Sequence, residues 1–275
     1  MGGKGRKSRN THIPNEFLTQ GAKLLTLNQA TAYQGIRRVK SSKDPRAAAE
    51  QLDCARQAIE AISGDHETDE TIWTSTRKPV IRTRVSQFLY KAMHQTHMVG
   101  AVWRHIQRHN QRQFCTACQD LDSMDHILTK CPTNTRRLTW SLAEQAWPHT
   151  QECWPEISLG LILRVGCISF PNPDTNNTRT PPDQRRKTNK RKGASRLLQI
   201  LISKTAHLTW VMRCERTIQN KQHTDDEIRA RWLQAINDRL TYDRIIAVKI
   251  KRNAKHTNLV KHTWEPVKAP WGLSS

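Results

Sequence analysis

The chain has 275 residues, enough to bury a sizeable core, and carries 45 Lys and Arg against 24 Asp and Glu, a formal charge of +21. A surplus that large favours a polyanionic partner, nucleic acid ahead of an anionic membrane surface. Apolar residues at 36% and nine Trp argue against wholesale disorder, seven Cys argue against a paired disulfide framework, and no run approaches the roughly 20 apolar residues of a membrane span.

In chain order, residues 1–12 read as a disordered basic tail with Lys4, Arg6, Lys7 and Arg9. No apolar stretch follows those cations, so no signal peptide is expected, and Arg6 stands where a myristoylation signal needs Ser or Thr. A nuclear or cytoplasmic protein without a membrane partner is the expectation. Residues 13–75 form a helical segment. A modest pattern from Asn15 to Arg38 marks its first helix, broken between Ser41 and Asp44. A second helix starts at Pro45, a good first-turn residue, and runs to Ile62 with Ala48, Leu52, Ala55 and Ile59 on one side. The stretch GDHETDE, residues 64–70, reads as an acidic loop.

Residues 76–165 form the next module. Val85, Phe88, Leu89 and Ala92 fall at i, i+3, i+4 and i+7, an amphipathic stripe. Gly100 interrupts, Trp103 and Ile106 lead a short helix into a cysteine cluster, and Leu138, Leu142, Ala143 and Trp147 mark a helix ended by Pro148. Residues 166–195, Pro-rich, basic and nearly free of apolar side chains after 171, read as a linker. Residues 196–260 then carry a helical hairpin with a basic extension. Leu197, Leu201, Leu208 and Met212 lie along its first helix, Thr224 and Glu227 suggest a capping box, and Ile228, Trp232, Ala235, Ile236 and Leu240 lie along its second. Ile245, Ile246, Val248 and Ile250 suggest a further basic helix, and 261–275 a tail. The fold class is mainly α: helical, with a small Cys₃His zinc-stabilised module and a C-terminal helical hairpin.

The segment FCTACQDLDSMDHILTKCP has the spacing C-x2-C-x7-H-x4-C. Cys115 and Cys118 are placed for a tight turn to aim two sulfurs at one ion, and His126 and Cys131 complete a tetrahedral Cys₃His set that suits Zn²⁺. Asp122 or Ser123 can cap a short helix on which Met124, Ile127 and Leu128 face the core. Five residues of an ideal helix rotate by about 140°, so the helix must end or loosen before Cys131. Four protein ligands close the shell, which makes the site structural. The plainer alternative is three buried cysteines beside a core histidine.

The cluster resembles the zinc-binding region downstream of the reverse transcriptase in non-long-terminal-repeat retrotransposons. The likeness widens with FLYKAMHQTHMVGAVWRHI before it and RRLTWSLAEQAWP after it, then with RLLQILISKTAHLTWVMRCERTI and RWLQAINDRLTYDR. The series looks like the C-terminal portion of fungal LINE-type polyproteins, beyond their ribonuclease H domain, and covers roughly residues 15–255. By position, Cys115, Cys118, His126 and Cys131 match the family's ligands, and Arg136, Arg137 and Trp140 match the basic and aromatic positions that follow. The resemblance implies a region that holds RNA or DNA during copying. The paired carboxylates that reverse transcriptase or ribonuclease H chemistry requires have no counterpart, since TDDE at 224–227 reads as a helix start, so no enzyme is expected.

Three basic groups are candidates for phosphate: the N-terminal tail, the run Arg185, Arg186, Lys187, Lys190, Arg191 and Lys192, and the strip Arg104, Arg108, Arg112, Arg136 and Arg137 around the cluster. The strip is preferred, because a metal-fixed loop presents charge with less entropy loss than a tail. Trp103, Trp140 and Trp147 are candidates to stack on bases or, more simply, core anchors. The leading expectation is a noncatalytic nucleic-acid-binding module. Its rival is a scaffold that docks the apolar faces of 196–240 onto reverse transcriptase or ribonuclease H domains.

Overall fold

The computed structural model describes residues 46–63, 67–148, 153–170, 182–250 and 254–267, together with Gln29 and Tyr33. The expected tail 1–12, most of the helix expected over 15–38, residues 171–181 of the expected linker and residues 268–275 lie outside them, as does the side chain of Ile59. The chain divides into two units, Met1–Arg46 and Ala47–Ser275, and the fold and the site belong to the second.

The described residues are mainly helical and contain no strand; one isolated antiparallel bridge pairs Phe114 with Leu121. Helix α1, Arg46–Ser63, buries Ala48, Leu52 and Ala55, the apolar side that its three- and four-residue spacing marks. The expected acidic loop gives way to a helix earlier than its polarity suggests. In α2, Asp69–Ser75, the Thr68 hydroxyl accepts a hydrogen bond from the Thr71 N–H at 3.2 Å. Asp69 and Glu70 occupy the first turn, where the helix dipole favours negative charge. Helix α3, Thr83–Met93, buries Val85, Phe88, Leu89 and Ala92. Helix α4, Asn134–Gln145, and the short α5, Leu159–Leu163, complete the first half of the core.

At both of its described ends, 166–170 and 182–195, the linker expected over 166–195 gives way to buried or helical chain. Val165–Cys167 is a buried 3₁₀ turn followed by the buried Ile168. From Pro182 the chain is already helical: α6 runs Pro182–Gln219, 38 residues or about 57 Å at 1.5 Å per residue. Proline is tolerated at a first helical position, where its missing N–H costs nothing. The basic run therefore lies on the outer turns of a helix whose continuation carries the buried Leu197, Leu198 and Leu201. Gly193 lets α6 approach α8, Ala254–Trp264, because a Cβ at 193 would lie 2.6 Å from the His262 carbonyl oxygen.

Helix α7, Asp225–Lys249, begins with the Thr224 hydroxyl accepting from the Glu227 N–H at 3.2 Å. The Glu227 carboxylate accepts from Lys221 Nζ at 2.7 Å. Helices α6 and α7 run antiparallel: Trp232 Nε1 donates to Thr205 Oγ1 at 2.9 Å, while Arg231 pairs with Glu215 further along α6, at 2.6 Å. The extra basic helix expected after residue 240 is the last turns of α7 itself, and there Tyr242, Ile245 and Val248 are exposed. The expected tail from 261 starts inside α8, whose Trp264 is fully buried and donates to Asp243 Oδ2 at 2.9 Å.

One continuous apolar core holds these elements, including Leu52, Phe88, Leu128, Leu142, Ile162, Leu201, Trp232 and Trp264. Buried ions cross it. Asp243 pairs with Arg196 at 2.8 Å and Arg239 at 3.0 Å, and Arg239 also donates to the Val80 carbonyl at 2.8 Å. Each of those guanidiniums needs its partner, since an unpaired buried charge is strongly destabilising.

Candidate metal centre

The first two sulfurs come from a knuckle. The 3₁₀ turn Asn110–Gln113 leads into Cys115, whose N–H donates to the Asp120 carbonyl at 2.8 Å, while the Gln119 N–H returns to the Cys115 carbonyl at 2.9 Å. The Phe114–Leu121 bridge closes the loop, and Gln119 takes the left-handed conformation, φ 63°, that the tight return requires. Cys115 and Cys118 therefore point inward from one small loop.

The other two ligands come from a short helical turn. The Ser123 hydroxyl accepts from the His126 N–H at 3.0 Å and so starts it, while Asp122 turns away to a different partner. His126–Lys130 is wound as a π-helix, with the Cys131 N–H donating to the His126 carbonyl at 2.6 Å. That wider turn is the loosening the spacing demands: an α-helix would rotate Cys131 away from His126, and the extra residue per turn brings it back. Met124, Ile127 and Leu128 face the core.

The four ligand atoms, three sulfurs and one ring nitrogen, lie within 4.8 Å of one another. Cys115 Sγ is 3.7 Å from Cys131 Sγ, and Cys118 Sγ is 3.3 Å from His126 Nε2. A sulfur pair at 3.7 Å is far beyond the roughly 2.05 Å of a disulfide bond. This Cys₃His group can hold a metal ion. Burial pushes the Cys115 thiol up, but the N–H groups of Ala117 and Cys118 and the His126 ring outweigh it and hold it at about 7. The Cys118 thiol is pushed up to about 12 by loss of water and by the neighbouring Cys115 and Cys131 sulfurs, against the pull of the Asp120 N–H. Three thiolates this close repel one another, and a bound cation relieves that repulsion.

Two contacts fix the centre to the helices. Asp122, between Cys118 and His126 in sequence, forms a buried ion pair with Arg213 of α6; Arg213 Nε lies 3.0 Å from Asp122 Oδ2 and the Nη2 contact is shorter still. The Cys131 carbonyl accepts from Arg136 Nε. Asp125 is engaged by Thr129 at 2.7 Å and by Lys130 at 2.5 Å. Nothing in the sequence signals the Asp122–Arg213 pair, because its members are 91 residues apart.

The candidate contact residues separate into two sets. Arg104 and Arg108 are exposed on and just after the 3₁₀ turn Gly100–His105, and Arg137 is exposed on α4. Arg112 is half-buried with its guanidinium over the Trp103 ring at 5.2 Å, and Arg136 is half-buried against Cys131. Trp140 is not placed to stack on a base: it is 7% exposed and its indole N–H donates to the Leu128 carbonyl at 2.7 Å. Trp147 is likewise buried. Sequence reading missed the half-buried Trp154, which shares with Arg136, Arg137 and Trp140 a groove of about 400 Å³. Lys187, Lys190 and Lys192 are exposed on α6 and Arg191 is half-buried, while the side chains of Arg185 and Arg186 lie outside the described residues. Lys255 and Lys261, exposed on α8, add charge on the helix that packs against that part of α6.

The chain matches no family model, no curated protein and no solved structure.

Proposed function

We propose that the protein is a noncatalytic, zinc-stabilised nucleic-acid-binding module derived from a retrotransposon polyprotein. The observation that carries this reading is the convergence of three thiols and one imidazole within 4.8 Å, beside exposed arginines on both sides. Zn²⁺ suits the donor set: with Zn–S bonds of about 2.3 Å, a tetrahedral site needs sulfurs about 3.8 Å apart. The Cys115–Cys131 separation of 3.7 Å agrees. Four protein ligands leave the ion no open position for substrate, which supports a structural role. The sulfurs anchor a loop whose neighbours Arg104, Arg108 and Arg137 meet phosphate, so affinity without base reading is the first expectation.

The test is a fluorescence-anisotropy titration with single-stranded RNA, single-stranded DNA and duplex DNA at several salt concentrations. Log affinity that falls linearly with log salt, with a slope that drops by about one for each of Arg104→Ala, Arg108→Ala and Arg137→Ala, supports the reading. No binding at low salt sinks it.

A docking scaffold is the second reading, and it needs a different surface from the one first expected. Leu197, Leu201, Leu208, Met212, Ile228, Trp232, Ile236 and Leu240 are buried in the chain's own core. The exposed stripe Tyr242, Ile245 and Val248 at the end of α7 is the face that favours this reading. Reverse transcriptase or ribonuclease H domains of a related element are the partners it suggests, and affinity that survives high salt is its signature.

A further inference from the structure

Between Glu70 and Asp120 the chain has no Asp or Glu, while eight Lys and Arg fall in the same interval. Arg77, Lys78, Arg82, Arg84 and Lys91 lie on the connection from α2 to α3 and on α3 itself, all of them exposed. Elsewhere Arg196, Arg213, Arg231 and Arg239 are neutralised by carboxylates within the fold. Among the described residues, neither Arg77 nor Lys91 has such a partner.

The fold holds this charge in a fixed frame. The Arg77 N–H donates to the Thr74 carbonyl at 3.1 Å, the Lys78 N–H to the Ser75 carbonyl at 3.2 Å and the Ile81 N–H to the Lys78 carbonyl at 2.8 Å. Consecutive turns therefore lock the connection. Ser75 is fully buried, and Gly166 packs on it so closely that a Cβ there would lie 2.1 Å from the Ser75 carbonyl oxygen. Against that connection, one side of α3 opens a groove of about 510 Å³ lined by Thr76, Arg77, Ser86, Gln87, Tyr90 and Lys91. The Thr76 hydroxyl is engaged by the Trp73 carbonyl at 3.0 Å, which leaves two cations and three neutral side chains with donor groups, and no carboxylate. Arg84 extends the charge along α3, since residues 84, 87 and 91 share one side of the helix at spacings of three and four. An anion suits this lining: every donor meets an acceptor and no like charge opposes it.

Tyr90 favours a nucleic acid over an acidic peptide as that anion. Its side chain is 46% exposed, and its ring is held by His94, whose ring lies 4.4 Å away and stacks in turn on Trp73 at 4.9 Å. An aromatic face beside cations receives the flat base that travels with a phosphate, whereas its negative π-face repels a carboxylate.

We infer that the α2–α3 groove is a phosphate-binding surface for a nucleic-acid strand, lined by none of the residues that surround the metal centre. The inference rests on the nucleic-acid reading and adds a contact face to it. Arg77 and Lys91 meet backbone phosphates, Arg84 continues the track, and Tyr90 offers stacking with no base preferred.

The test is a fluorescence-anisotropy titration of the full chain with labelled oligouridine and, in parallel, labelled oligoglutamate of equal charge, at several salt concentrations. Arg77→Ala and Lys91→Ala should each flatten the oligouridine slope of log affinity against log salt by about 0.7, the value per phosphate of a single strand. Each should also weaken low-salt binding roughly fivefold to tenfold. Arg77→Lys should keep the slope, and Tm should not change in any of the three, because these side chains are exposed. Oligoglutamate should bind at least about tenfold more weakly than oligouridine. Oligouridine binding whose slope neither alanine variant changes overturns the inference and spares the nucleic-acid reading, which then depends on Arg104, Arg108 and Arg137. Oligoglutamate binding as tight as that of oligouridine, and lost in both alanine variants, overturns the inference in favour of an acidic protein partner. No binding of oligouridine at low salt overturns both the inference and the reading beneath it.

Discussion

Replacing Asp122 by Asn should expose how strongly the metal loop depends on the long helix α6. Asp122 and Arg213 are both buried, and the carboxylate takes two guanidinium hydrogen bonds. Asparagine keeps the shape and one acceptor but removes the charge, which leaves a guanidinium without a counter-ion in the core. Breaking a buried pair this way costs about 3–5 kcal/mol, whereas replacing both partners with neutral groups of similar size costs far less. Urea denaturation of the zinc-loaded protein should therefore show Asp122→Asn less stable by about 3 kcal/mol or more. The double variant Asp122→Asn/Arg213→Met should recover at least about 1.5 kcal/mol relative to the sum of the single losses. Asp122 sits between two ligands in sequence, so zinc loss to a chelator should also accelerate in the single variant. A single-variant cost under about 1 kcal/mol, or strict additivity in the cycle, would refute the pairing as the anchor of the loop.

Other outcomes follow from the same geometry. Cys131→Ala should lose the metal and lower Tm substantially, because binding free energy at a closed site is folding free energy; metal content and Tm measured together check this. Trp140→Phe should cost about 1–3 kcal/mol by orphaning the Leu128 carbonyl, with the salt slope of nucleic-acid binding unchanged. A changed slope would put that ring back in contact with the ligand. Burial, with Lys204 and Arg84 adding to it, pushes the His207 imidazole from 6.5 down to about 4. The unfolded chain then binds the proton more readily, so stability is full above pH 6.5 and falls as pH drops toward 4. His207→Gln should flatten that window in pH-dependent urea titrations, and an unchanged curve would contradict the assignment.

Local pattern and long-range placement were legible to different degrees. The stripe of α3, the apolar sides of α6 and α7, and the need for a loosened turn before Cys131 all follow from spacings of three to five residues. Those are fixed by helix geometry alone, and the structure agrees with them. The run 182–192 was misread because polarity and proline resemble a linker, yet proline suits a first turn and the buried leucines downstream hold the helix. The acids at 69 and 70 were misread for a similar reason, since a helix start and an acidic loop share a composition. Trp140 shows the reverse limit: an aromatic beside cations reads as a stacking platform or, more simply, as a core anchor, and the bond to the Leu128 carbonyl decides for the anchor. The Asp122–Arg213 pair joins residues far apart in the chain, and no single-sequence pattern encodes such a meeting.

The most direct test of the metal centre on which the proposed function depends is X-ray absorption at the zinc edge on purified protein, with metal content quantified on the same sample. One zinc per chain, with about three sulfurs near 2.3 Å and one nitrogen near 2.0–2.1 Å, is the result expected of a closed Cys₃His shell. A shell containing water oxygen, a stoichiometry far below one, or cysteines oxidised in place of a bound metal would contradict it.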